Sequence, residues 1–368
     1  MPKKIVVLGS TGSIGRQALE IIRQNPTQFS VLALGAYGNN KKLFTEQIAE
    51  FKPKKYATVL DDGIEKVNLL AREKCDIVLN GIAGSAGIEA SVNALEKGNY
   101  LALANKESLV VGGEYLLSKV RFANQIVPVD SEHSAIWQCL QSGKKQEISR
   151  LILTASGGPF RKFKLSQLEN ITPKQALSHP TWNMGQLVTI NSSNMVNKAL
   201  EIIEAHYLFG IDIDKIDVVI QPTSFVHSMV EFFDGSTIMQ VSAPDMKLPI
   251  ALALNYPNRL ENSIKPVSFL DKEVFEFEPL DNSKFPIIQF TKNFFKENKN
   301  LSIVFNAANE ELVKAFLNKK IAYLDIVQIL KKIVLDYKID HDIVNIDIIH
   351  EIENDVRKIT RNFISKKL

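Results

Sequence analysis

The 368-residue chain has only two cysteines, Cys75 and Cys139, too few for a disulfide framework or a thiolate metal site. That scarcity fits a reducing compartment, and a cytoplasmic location is expected. No apolar run approaches the ~18 residues that span a bilayer, so no membrane partner is expected. No block of one charge is present either. Lys+Arg number 44 and Asp+Glu 41, a net charge of +3, and the lysines are scattered as pairs such as Lys3-Lys4, Lys54-Lys55, Lys144-Lys145 and Lys366-Lys367. A nucleic-acid partner is therefore not expected. The first residues lack the apolar core of a signal peptide and the Ser/Arg-rich character of a transit peptide. Internal repeats and low-complexity tracts are absent as well. What is present is an ordinary globular composition, 45% hydrophobic and 23% charged, which excludes a mainly disordered chain and allows a sizeable core.

Short apolar runs alternate with helical spacing through the first third of the chain. Strands are expected at Ile5–Leu8, Ser30–Leu34, Tyr56–Leu60, Asp76–Leu79, Tyr100–Leu103 and Ile126–Val129. Helices are expected at Ile14–Gln24, Lys41–Phe51, Glu65–Arg72, Gly87–Lys97 and Tyr115–Phe122. Such alternation predicts an α/β fold with a Rossmann-like parallel sheet over residues 1–130. The rhythm then changes. Strands at Leu151–Thr154, Asp217–Ile220, Ser228–Phe233 and Thr237–Val241, with a Ser-capped helix at Ser192–Phe209, predict an α+β domain over 131–257. Within it, 156–186 lacks a sustained period and reads as a flap. Residues 258–281 read as a linker. Helical patterns at Ile287–Lys296, Asn309–Asn318, Tyr323–Tyr337 and Asp347–Ser365 predict a small helical C-terminal domain over 282–368.

Gly9-Ser10-Thr11-Gly12-Ser13-Ile14-Gly15 sits between the first strand and first helix, where glycines let the backbone turn onto a pyrophosphate at a helix N-terminus. The second strand ends before Gly35-Ala36-Tyr37-Gly38-Asn39-Asn40-Lys41-Lys42, which has no carboxylate for an adenosine ribose. Amides and two lysines there suit a 2′-phosphate, so NADPH is expected over NADH; the alternative is that Lys41 and Lys42 begin a solvated helix face.

Asp130-Ser131-Glu132 follows the sixth strand, and two clustered carboxylates suit Mg²⁺ or Mn²⁺. The competing reading is a helix start, with Ser131 as cap and acidic residues in the first turn. Asn197, Lys198 and Glu201 share a helix face at i,i+4 and i,i+3 spacing. They offer phosphate donors and a metal ligand, or else a solvent-facing Lys–Glu pair worth ~0.3 kcal/mol. Thr154–Phe160 brings Ser156 and accessible amides suited to an anion. His179 and Trp182 lie further along the same irregular stretch, where they could close over a ligand and exclude water.

Together these segments resemble the 1-deoxy-D-xylulose 5-phosphate reductoisomerase family. GSTGSIG at Gly9–Gly15, LANKES at Leu103–Ser108, PVDSEHSAI at Pro128–Ile136 and TASGGPF at Thr154–Phe160 carry the resemblance. HPTWNMG at His179–Gly185, Asn197-Lys198 with Glu201, PDMKLPI at Pro244–Ile250 and NAANE at Asn306–Glu310 extend it almost along the whole chain. The resemblance implies NADPH- and divalent-metal-dependent rearrangement and reduction of 1-deoxy-D-xylulose 5-phosphate to 2-C-methyl-D-erythritol 4-phosphate, in a homodimer. It places metal ligands at Asp130, Glu132 and Glu201. Catalytic and substrate contacts are implied at Lys106, Ser131, Glu132, Ser156, His179, Trp182, Ser192, Asn197, Lys198 and Glu201. Cofactor contacts are implied at Thr11, Gly12, Ser13, Ile14, Gly38, Asn39, Asn105, Glu107 and Gly185. After the second strand the family has a short Ala-Gly-(Lys or Ser)-Asn stretch. Tyr37-Gly38-Asn39 occupies that place here, leaving Lys41 or Lys42 to supply the basic group. Two competing readings remain: a reductase working through a nucleophilic cysteine, and a non-catalytic dinucleotide sensor.

Overall fold

The computed structural model describes all residues except 183, 271–273, 341 and 368, and the side chain of Lys367. Asn183 of the His179–Gly185 motif, 271–273 of the expected linker, and His341 and Leu368 of the expected C-terminal domain therefore lie outside the described residues. The chain forms two compact units. The first comprises Met1–Leu109, Leu116–Trp137 and Asp245–Val267, and the second Val110–Tyr115, Gln138–Pro244 and Ser268–Leu368.

In chain order the elements begin β1 (Lys3–Leu8), α1 (Ser13–Gln24), β2 (Phe29–Ala36), α2 (Lys41–Phe51), β3 (Lys55–Thr58), α3 (Val59–Asp62) and α4 (Ile64–Leu69). They continue β4 (Ile77–Asn80), α5 (Ile88–Lys97), β5 (Tyr100–Leu103), α6 (Lys106–Leu117), β6 (Ile126–Pro128) and α7 (Ser131–Cys139). Then follow β7 (Ile148–Ala155), α8 (Pro173–Ala176), α9 (Gln186–Ser193), α10 (Val196–Phe209), β8 (Ile216–Ile220), β9 (Val226–Phe232), β10 (Thr237–Val241) and α11 (Lys247–Asn255). The remainder is β11 (Glu278–Pro279), α12 (Ile287–Glu297), α13 (Leu301–Leu317), α14 (Tyr323–Asp336) and α15 (Ile346–Lys367).

In the first unit β1 to β6 form one parallel sheet in the order β3-β2-β1-β4-β5-β6. This is the doubly wound order whose switch point falls between β1 and β4, where ligands bind at the carboxyl ends of the strands. Ile5, Val7, Leu34, Leu79 and Ala102 from the sheet pack with Leu19 and Ile22 of α1 and Ile250 and Leu254 of α11 in one apolar core. The apolar strands are buried on both faces because helices cover both faces of the sheet.

The second unit holds a five-stranded mixed sheet, β10-β9-β7-β8-β11. β7 runs parallel to β8 and antiparallel to β9, while β10 and β11 are antiparallel edges. Its helical part packs around buried phenylalanines, with the Phe294 and Phe305 rings 5.4 Å apart. Among the described residues no helix is long and apolar enough to cross a membrane.

The expected fold class holds, with a parallel sheet, a second mixed sheet and a helical C-terminal part, and several local readings need correction. The third strand stops at Thr58, because the Thr58 side chain accepts from the Asp61 amide and caps α3. The expected Tyr115–Phe122 helix instead ends at Leu117 and is the short last piece of α6, which starts at Lys106 and is broken at Gly113, where φ is +43°. The expected Ser-capped helix Ser192–Phe209 is two helices. Met195 adopts φ +65° and interrupts it, and no side-chain cap forms there; Ser192 lies in the last turn of α9 rather than capping α10. The expected Asn309–Asn318 helix begins eight residues earlier in sequence, at Leu301. Within 156–186 the regular structure among the described residues is α8 and one turn of 3-10 helix at Leu165–Leu168.

Candidate active site

Every sequence-predicted residue of the first unit lies just beyond a carboxyl end of the parallel sheet. Thr11 to Ile14 follow β1, Gly38 and Asn39 follow β2, Asn105 to Glu107 follow β5, and Asp130 to Glu132 follow β6. The β1 turn is built for close approach. Gly9 has φ +77°, and a Cβ there would collide with the Gly81 carbonyl of the β4 turn. Gly12 is the N-cap of α1 and no side chain caps that end, so the first-turn amides remain for a ligand or water. Asn105 is buried. Its amide nitrogen donates to the Gly84 carbonyl at 2.6 Å and to that of Ile82, and its oxygen accepts from the Ser108 amide at 2.8 Å. It thus ties the β4 and β5 turns together and caps α6.

The β2 turn explains the missing basic side chain. Gly38 has φ +109°, and a Cβ there would lie 3.2 Å from both Thr58 Oγ1 and Leu60 Cβ. Asn40 caps α2 by accepting from the Leu43 amide at 3.1 Å. Lys41 donates to Asp61 at 2.9 Å in an exposed pair.

Asp130 is the electrostatic centre of this unit. Its backbone carbonyl and carboxylate accept from the Ser134 amide at 2.8 Å and the Glu132 amide at 3.2 Å, so it, rather than Ser131, caps α7. Ser131 instead donates to the Glu132 carboxylate. The Lys106 ammonium lies 2.6 Å from Asp130 Oδ2, and His133 Nδ1 is 3.1 Å from Oδ1. Burial opposes the charged carboxylate, but Lys106 and His133 overcome it and hold the Asp130 carboxyl well below its usual range. Glu107 is buried on the first turn of α6.

In the second unit the turn after β7 meets the α9–α10 break. Gly158 has φ +64°, and a Cβ there would press on the Ser192 carbonyl at 3.1 Å. The break thereby sits beside Ser156. His179 Nδ1 accepts from the Thr181 and Trp182 amides at 3.2 and 2.9 Å, so Nε2 carries the proton and donates to Ser156 Oγ at 3.1 Å. Ser156 Oγ also accepts from the Gly158 amide at 3.2 Å. With both lone pairs engaged, the Ser156 hydroxyl proton is the group left for an anion. Beyond the break Asn197 and Lys198 both donate to the Glu201 carboxylate. The Lys–Glu pair is 4% and 1% exposed, which excludes the solvent-facing reading. Gly185 is the N-cap of α9. Trp182 packs on His227, ring centroids 6.2 Å apart.

Each unit therefore sets a carboxylate against a lysine in a largely buried pair: Asp130 with Lys106, Glu201 with Lys198. The sequence reading missed the first pair, since Lys106 and Asp130 belong to different strand–helix turns. The thiols offer no nucleophile. Burial pushes Cys75 up to about 12 and Cys139 up to about 11, which removes the basis for a cysteine-dependent reductase.

Sheet order, glycine turn and the ionised Asp130 define a doubly wound dinucleotide-binding α/β enzyme with an appended α+β and helical unit. Family models described as 1-deoxy-D-xylulose 5-phosphate reductoisomerase, its C-terminal domain, and the DXP reductoisomerase C-terminal domain match residues 5–113, 126–209 and 241–359. The chain is 47% identical over 351 residues to the 1-deoxy-D-xylulose 5-phosphate reductoisomerase of Bifidobacterium longum (strain DJO10A), covering 89% of this chain and 88% of that one. It is 49% identical over 332 residues to that of Leifsonia xyli subsp. xyli, covering 90% and 91%. A crystal structure of DOX-P reductoisomerase in complex with NADPH, fosmidomycin and magnesium superimposes with a TM-score of 0.92 at 35% identity, covering 99% and 98% of the chains. The Zymomonas mobilis enzyme in complex with NADPH gives 0.88 at 34%, covering 99% of each. The chain belongs to the 1-deoxy-D-xylulose 5-phosphate reductoisomerase family.

Proposed function

We propose that this chain converts 1-deoxy-D-xylulose 5-phosphate to 2-C-methyl-D-erythritol 4-phosphate with NADPH and Mg²⁺ or Mn²⁺. One observation carries the reading: a single parallel sheet presents, at its carboxyl edge, both a turn shaped for a pyrophosphate and the buried, ionised Asp130 beside Glu132. Hydride chemistry and hard-cation chemistry are thereby housed in one unit. The donors fit both groups. Uncapped amides at α1 suit the pyrophosphate, and carboxylate oxygens suit a hard divalent ion. Asp130, Glu132 and, from the second unit, Glu201 are the residues that would hold that ion.

When bound, the cation supplies Lewis acidity for carbon–carbon cleavage and NADPH supplies the hydride that reduces the resulting aldehyde. The protein's own groups do the rest. Ser156 donates its free O–H to the substrate phosphate, and Ser192, Asn197 and Lys198 complete the anion site. Binding energy gained at the phosphate orients the distant reacting carbons. His179 keeps Ser156 in its donating orientation, and Trp182 shields the site from water. The charged Lys106 neutralises Asp130 and offers a proton to substrate oxygens at that position. Thr11, Gly12, Ser13 and Ile14 bind the dinucleotide at the β1 turn, with Gly38 and Asn39 at the β2 turn. Asn105, Glu107 and Gly185 complete the cofactor set.

The same reading makes the working species a cytoplasmic homodimer acting on a small phosphorylated sugar; sedimentation equilibrium checks the dimer. Substrate-dependent NADPH oxidation tests the function. Turnover should require both the phosphorylated substrate and a divalent ion. Turnover that survives complete chelation would refute the metal-dependent scheme.

A further inference from the structure

Lys284 is outside every motif named above, yet its bonding is unusually complete. Its ammonium donates to three backbone carbonyls, those of Phe160 at 2.6 Å, Arg161 at 2.8 Å and Phe163 at 2.6 Å. An ammonium has three protons, and here all three are spent on one short loop. Burial lowers the Lys284 pKa, against the raising influence of Asp281, in keeping with a partly desolvated role. Five residues after β11, this lysine is held in place by Asp281, whose Oδ1 accepts from the Ser283 and Lys284 amides at 3.0 and 3.2 Å. A second tie comes from the same segment: Arg161 donates to the Glu278 carboxylate. The Arg161 side chain in turn covers Gly157, where an added Cβ would collide with it. Phe160 is buried against Tyr323, ring centroids 5.2 Å apart, and the Tyr323 hydroxyl donates to Ser193 Oγ at 3.1 Å.

All of these groups belong to the second unit. They form a strap that starts at 278–284, grips 160–163, and so fixes the Gly157-Gly158 turn against Ser192. That turn sets the Ser156 hydroxyl through the Gly158 amide. We propose that Lys284, assisted by Glu278, is a positioning residue for substrate-phosphate binding: it touches no substrate and acts by holding the Ser156 turn in its donating geometry. The inference rests on the phosphate role proposed for Ser156.

The test compares Lys284→Met, Lys284→Arg and Glu278→Gln with the wild-type chain. Steady-state KM for 1-deoxy-D-xylulose 5-phosphate and for NADPH is measured, with backbone hydrogen exchange over 156–163. For Lys284→Met the expected result is an increase of about ten-fold in sugar-phosphate KM, NADPH KM within about two-fold of wild type, and faster exchange at 157–161. Lys284→Arg should recover most of the KM loss, since guanidinium donors can reach the same carbonyls. Glu278→Gln, at a more exposed position, should move sugar-phosphate KM the same way by a smaller factor, and it keeps the test open if Lys284→Met fails to fold. Unchanged sugar-phosphate KM, or parallel rises in both KM values without rescue by arginine, overturns the inference. If the wild-type chain fails to turn over the sugar phosphate, the functional reading fails instead. Exchange at 157–161 then decides the strap on its own: protection unchanged in Lys284→Met overturns it.

Discussion

Replacing Lys106 by methionine isolates the role of the buried ion pair in the first unit. The Nζ–Oδ2 separation is 2.6 Å and the two side chains are 8% and 11% exposed. Removing one partner of such a pair costs about 3–5 kcal/mol, because the remaining charge stays buried. His133 still faces Asp130 at 3.1 Å, which places the expected loss at the low end, about 3 kcal/mol. For a unit of this size about 2–4 °C accompanies each kcal/mol, so calorimetry at neutral pH should show a fall of about 6–12 °C. The pH dependence has a definite sign. The folded Asp130 carboxyl lies below its ordinary value of 3.8. Its pairing therefore stabilises the fold above that value, and the contribution is lost as pH falls through the lowered folded value. In Lys106→Met the carboxyl rises and takes up a proton earlier, so the deficit relative to wild type should shrink as pH falls from 7 towards 4. In the double variant with Asp130→Asn the two losses should fall short of additive by about 2 kcal/mol or more. A Lys106→Met protein within about 0.5 kcal/mol of wild type at neutral pH would refute the reasoning, as would strict additivity.

Three further outcomes follow from the geometry. Ser156→Ala removes the donated hydroxyl proton and should raise KM for the sugar phosphate about ten-fold with NADPH KM unchanged; steady-state kinetics with each substrate varied in turn reads this. Tyr323→Phe deletes the 3.1 Å hydrogen bond to Ser193 Oγ. It should cost about 1 kcal/mol by denaturant unfolding, because Ser193 keeps its bond to the Ile190 carbonyl. Alkylating agents applied to the native enzyme should leave activity intact, since both thiols are pushed to high pKa by burial; rapid inactivation with modification of either cysteine would contradict that.

The parallel sheet was legible because most of its strands are short apolar runs, buried in the central strands, that alternate with helical spacing. The β1 turn was legible because its spacing sits between a strand and a helix. Boundaries were lost where local chemistry, not periodicity, decides them. α6 begins at Lys106 because the Asn105 side chain caps it, while its first residues look polar and loop-like. A single left-handed residue, Met195, splits an apolar pattern that runs on across it. Leu301 to Ala308 are buried on all sides, so α13 has no polar face there to show a helical period. α11 joins the first unit's core from more than a hundred residues downstream of α7, a contact that spacing along the chain does not encode. At the site, residue types were readable but partners were not. Asp130 and Glu201 each sit beside a lysine, Lys106 across α6 and β6 from Asp130 and Lys198 three residues before Glu201 on the same helix. Lys284 belongs to no motif, and its three carbonyl partners are visible only in the folded chain.

Binding of Mn²⁺ followed by electron paramagnetic resonance tests the central claim most directly, with wild type compared against Asp130→Asn, Glu132→Gln and Glu201→Gln. One tightly held ion per chain is predicted in the wild type, and each substitution should weaken it by at least about 100-fold while leaving NADPH affinity within about two-fold. Wild-type Mn²⁺ affinity in any one of the three variants would contradict the account.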